Sequence, residues 1–169
     1  IGKEASRPLG FATVAKPPVG PSGPDMGPGL AVSDGERAWW VPGELLADAA
    51  VMTAMGELLG VAGPGVLTHD AKPLLRALQR LGVDEVALIM DTALASYLLD
   101  PADTTYDLGV LLERYAHRML PAVGPPDGQL DLTGEVADPS AEAAHRAAAI
   151  SVLHDPLSSA LKAQGLRTL

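Results

Sequence analysis

Residues 65–99, GVLTHDAKPLLRALQRLGVDEVALIMDTALASYLL, alternate twice between a short apolar run and a helical stripe. Gly65 to Thr68 reads as a strand. Leu74, Leu75, Leu78 and Leu81 then fall on one helical face that stops at Gly82, the residue type favoured just past a helix end. Val86 to Met90 is a continuous apolar run of strand length, which predicts a strand buried on both faces. Asp91 stands where a helix N-cap is needed, Thr92 to Leu99 supplies the helix, and Pro101 ends it. This strand–helix–strand–helix order predicts a sheet with a parallel portion and helices packed on it.

Outward from this unit, Leu9 to Ala15 is short, apolar and partly β-branched, as a buried strand requires. Gly29 to Ser33 and Arg37 to Pro42 flank Asp34-Gly35, a strong hairpin signal. The chain therefore opens with antiparallel strands. Leu45, Leu46, Ala49, Met52, Met55, Leu58 and Leu59 predict one helix ending near Gly60. Leu108, Leu111, Leu112, Tyr115 and Met119 predict another over 107–119. Asp138 followed by Pro139 pairs an N-cap with a proline at the first helical position, opening an alanine-rich helix through Leu153 that Pro156 should kink or interrupt. Residues 17–29, PPVGPSGPDMGPG, and 121–139, PAVGPPDGQLDLTGEVADP, read as a Pro/Gly-rich loop and an irregular connector. Residues 1–169 are expected to form a single domain of the mixed α/β class.

Composition narrows the function classes. With 12 basic and 21 acidic residues the net charge is −9, so phosphate-driven grip on nucleic acid is not expected of this chain by itself. It contains no cysteine, which removes disulfides, thiolate metal sites and a thiol nucleophile. No apolar stretch reaches the roughly 18 residues of a membrane span, and a soluble, cytoplasmic protein is expected. The start, Ile1-Gly2-Lys3-Glu4, carries neither an initiator Met nor an apolar signal segment and reads as a piece of something longer. Arginine outnumbers lysine and asparagine is absent, a bias expected of a GC-rich genome.

Candidate chemistry is sparse. His69-Asp70 and Asp91 each follow a strand and could share one sheet edge as metal ligands with Asp25. Helix capping by the acids is the simpler account. His154-Asp155 is either a catalytic pair or an interruption before Pro156. His117 and Arg118 belong to a helix C-terminus, where cations complement the macrodipole. Glu142, His145 and Arg146 read as a charged, solvated face. Trp39-Trp40 places one indole on each face of a strand. A base-stacking platform is the rival reading, but no basic residues interleave with the pair. Ser6, Ser96, Ser151, Ser158 and Ser159 lack the G-x-S-x-G setting of an activated nucleophile, and no phosphate-binding glycine pattern occurs.

The stretch Leu67 to Leu120, LTHDAKPLLRALQRLGVDEVALIMDTALASYLLDPADTTYDLGVLLERYAHRML, resembles the central part of the 3′-5′ exonuclease domain of bacterial DNA polymerase I. Thr68 to Leu74 stands at the family's Q-N-x-K-x-D motif. Asp91 to Leu99 matches its D-T-x-L-x-S-Y-x-L helix, and Tyr106-Asp107-Leu108 with Leu111 matches a later D-[LM]-x-x-L helix. The resemblance implies a ribonuclease H-like fold. Active members hold two metal ions with four carboxylates, and the resemblance assigns those positions here. The first-strand D-x-E falls on Thr13 and Ala15, within one residue. The Asp of the second motif falls on Leu74. In the last helix Arg146 stands for a Tyr and Ile150 for the final Asp.

The resemblance therefore implies a degenerate, catalytically inactive exonuclease-like domain. By the same likeness it lies between a flap-nuclease domain and the polymerase domain of a parent DNA polymerase, with an architectural part in DNA replication and repair. Magnesium would serve the parent's polymerase domain and no cofactor this one; DNA would be met through the parent. Leu74 and Ile150 are expected to face each other, buried, in the vacated cleft beside the first strand. Two rival functions are a nuclease with a metal site rebuilt from His69, Asp70, Asp91 and Asp25, and a free-standing interaction module using the Pro-rich loop.

Overall fold

The computed structural model describes residues 7–13, 28–122 and 138–166. Five strands form one mixed sheet in the order β3-β2-β1-β4-β5: β1 (Leu9–Ala12), β2 (Gly29–Ser33), β3 (Ala38–Pro42), β4 (Val66–Thr68) and β5 (Leu88–Asp91). β1, β2 and β3 pair antiparallel, whereas β4 pairs parallel with both β1 and β5. The helices are α1 (Ala49–Leu59), α2 (Ala71–Arg80), α3 (Thr92–Leu99), α4 (Leu108–Ala116) and α5 (Pro139–Ala163). This is the mixed α/β architecture of a ribonuclease H-like fold, with antiparallel strands first and helices packed on the sheet.

Strand pleating sends alternate residues to opposite faces and so builds two cores. Phe11, Leu30, Val32 and Val66 join Met55 and Leu59 of α1 and Leu74 and Leu78 of α2. Their neighbours Ala12, Ala31 and Leu67 face the other way, toward Leu108, Leu111 and Leu112 of α4 and Ile150, Leu153 and Leu157 of α5. Small residues let α5 lie directly on the sheet. At Gly10 a Cβ would collide with the Ala147 carbonyl oxygen and the Ser151 hydroxyl. The Ser151 Oγ accepts a bond from Gly10 N at 3.0 Å and donates to Ser33 O at 2.9 Å, bridging residues paired in register across β1 and β2. Ser151 is thus a packing residue that ties α5 to the sheet.

Several local expectations are corrected. The run 86–90 does not form a strand buried on both faces: β5 is an edge strand, and Leu88 and Ile89 are exposed. The helix expected over 45–59 is split into a 3-10 turn (Gly43–Ala47) and α1, because Asp48 stays extended and caps Ala50 N and Val51 N. Pro156 does not interrupt α5, which continues for 25 residues. A single proline removes only its own N–H, here the donor to the Val152 carbonyl, and packing of Leu153 and Leu157 retains the helix. α4 stops at Ala116, and His117 takes a left-handed conformation (φ 54°) beyond it, leaving Met119 outside the helix and exposed. Of the Pro/Gly-rich loop and the connector, residues 17–27 and 123–137 lie outside the described residues. Gly29 already belongs to β2, and Pro139 to α5.

Candidate functional site

Parallel strands β4 and β5 deliver their C-terminal ends side by side, Thr68 being paired with Asp91. This brings His69, Asp70 and Asp91 to the same edge of the sheet. The Asp91 carboxylate is taken up by backbone donors. Its Oδ1 accepts from Ala93 N (2.9 Å), Asp70 N (3.0 Å) and Leu94 N (3.3 Å), and its Oδ2 accepts from Ala71 N (2.8 Å). One side chain therefore caps its own helix α3 and ties down the start of α2. Asp70 cannot cap α2 itself: it sits in the left-handed region (φ 56°) and its side chain makes no capping bond.

His69 turns inward, its Nδ1 lying 2.9 Å from the Oγ1 of fully buried Thr92. Burial pushes its imidazole below the ordinary histidine value; the Arg146 charge pushes the same way, and Asp91, Asp107 and Asp70 oppose it. Arg146 is half-buried on α5, and its Nε is shut off from water with no hydrogen-bond partner. The same holds for His145 Nδ1. The 142–146 stretch is therefore not a solvated face as expected. The alanines of α5 bring the helix so close to its neighbours that longer side chains are partly covered.

The positions assigned to the four carboxylates separate. Thr13 follows the end of β1 and is half-buried, while Ala15 lies outside the described residues, as does Asp25. Leu74 is 7% exposed in the core under α2, whereas Ile150 is 1% exposed in the core under α5, on the other side of the sheet. The expectation that the two aliphatics face each other across one cleft is therefore corrected. Matched positions that lie in α3 and before α4 have structural partners. Asp107 caps α4 through Gly109 N at 2.8 Å, and Tyr97 meets Tyr106 edge-to-face with ring centroids 5.9 Å apart. Neither a leucine nor an isoleucine has a lone pair for a cation, and side chains on opposite faces of a sheet cannot line one two-metal centre. Among the described residues no group of three or more His, Cys, Asp or Glu side chains could hold a metal ion.

The remaining sequence candidates are dispersed. His154 Nδ1 lies 2.9 Å from Asp155 Oδ1, and Asp155 pairs with Arg7 at 2.6 Å, inside α5 and not at a helix break. The two indoles divide as expected: Trp40 packs on the α5 core, and Trp39 is exposed with the Arg37 guanidinium 5.6 Å from its ring centroid.

Residues 27–122 match the family model for the ribonuclease H-like domain of DNA polymerase I. The chain belongs to this family. No curated protein matches it. Among solved structures, the POL domain of Pol1 from M. smegmatis, in complex with DNA primer-template and dNTP, superposes with a TM-score of 0.72 at 22% identity. The superposition covers 96% of this chain and 25% of that chain, so a polymerase I exonuclease-like domain of this kind spans about a quarter of its structural neighbour. Among the described residues no helix is long and apolar enough to cross a membrane.

Proposed function

We propose that this polymerase I domain is a catalytically silent exonuclease-like module with an architectural role. Its place is between a flap-nuclease domain and the polymerase domain of a parent DNA-directed DNA polymerase. The observation that carries the reading is Leu74, which stands where the family likeness places a metal-binding Asp, has no lone pair for a cation and is buried in the core under α2. Thr13, Ala15 and Arg146 extend the same loss. In the parent, magnesium ions serve the polymerase domain, and DNA is met through the parent chain; the net charge of −9 fits a domain that does not grip phosphates alone. The caps at Asp91 and Asp107 fit a domain kept for its shape.

The test is a manganese-supplemented digestion of single-stranded DNA by the purified chain, run beside thermal melting. No nucleotide release and no saturable metal-dependent rise in Tm are expected, since stabilisation requires a ligand that prefers the folded state. Cleavage that survives repurification, or a metal shift absent with sodium at equal ionic strength, would overturn the proposal in favour of a site rebuilt from His69, Asp70 and Asp91.

A further inference from the structure

We draw no further inference here: the strongest candidate, the apolar surface that edge strand β5 and helix α3 present to solvent through Leu88, Ile89, Leu94 and Tyr97, is an unpartnered face, and nothing in the structure shows what covers it.

Discussion

The family likeness assigns Leu74 and Ile150 to one site, yet they occupy different physical environments. Ile150 lies mid-way along α5, surrounded by the core it shares with Ala12, Leu111 and Leu153, and is 1% exposed. Leu74 lies in the first turn of α2 at the rim of the opposite core, 7% exposed. The difference teaches that the two side chains cannot line one cleft: each belongs to the hydrophobic layer on its own face of the sheet. What the two positions now contribute is set by that layer.

The largest expected effect is at Ile150. Ile150→Asp removes a fully buried aliphatic and installs an unpaired carboxylate far from either helix end, and should cost about 3–5 kcal/mol in urea denaturation. Leu74→Asp should cost less, about 2–3 kcal/mol, because the helix N-terminus favours an acid and water is nearer. The double variant sharpens the comparison. Residues on opposite faces of the sheet should add to within about 0.5 kcal/mol. A double variant markedly more stable in manganese than either single one would mean that the two carboxylates share a cleft, and would break the two-core account.

A second comparison sets the two acids of the β4–β5 edge against each other. Asp91→Ala deprives four backbone N–H groups of their acceptor and loosens the starts of both α2 and α3, for an expected loss of about 2 kcal/mol. Asp70→Asn keeps a side chain that tolerates the left-handed conformation and should stay within about 0.5 kcal/mol of the parent. Equal losses in chemical denaturation would show that the edge tolerates or resents substitution as a whole.

The strand–helix alternation and the caps at Asp91 and Asp138 were legible in the sequence because they are local: an N-cap needs only the next two or three N–H groups. The burial of the 86–90 run was not, since an apolar run states that a strand is hydrophobic and topology alone decides that β5 ends on an edge. The break at Asp48 was hidden because a 3-10 turn and an α-helix both repeat apolar residues at three-residue spacing; its signal, an Asp before Ala49, was present. For the candidate site, likeness assigned Leu74 and Ile150 to one cleft, but motif spacing carries no information about which face of the sheet each residue joins. Likewise His145 and Arg146 looked solvated because charge was read along one helix, whereas their cover comes from elements distant in the chain.

The smallest expected effect separates the inward-facing His69 from the exposed carboxylates. Burial and Arg146 lower its folded-state pKa relative to the unfolded chain, so in the interval between the two values the unfolded state binds the proton and the folded state does not. Stability contributed by neutral His69 is therefore complete above the unfolded value of about 6.5 and is lost as pH falls below it toward the depressed folded value. The carboxylates of Asp34, Asp103 and Asp138, each held below the ordinary aspartate value by hydrogen bonds, release their contributions only in the more acidic range. Urea denaturation at pH 7 and pH 5 should thus show a loss in the parent chain that is smaller in His69→Gln, whose amide does not titrate. The same loss in both would place the acid sensitivity elsewhere. Thr92→Val completes the experiment: it removes the hydroxyl 2.9 Å from His69 Nδ1 while preserving shape. Because the orphaned nitrogen then has reason to take up a proton or turn toward water, this variant should weaken the fold at pH 7 and flatten its fall toward pH 5.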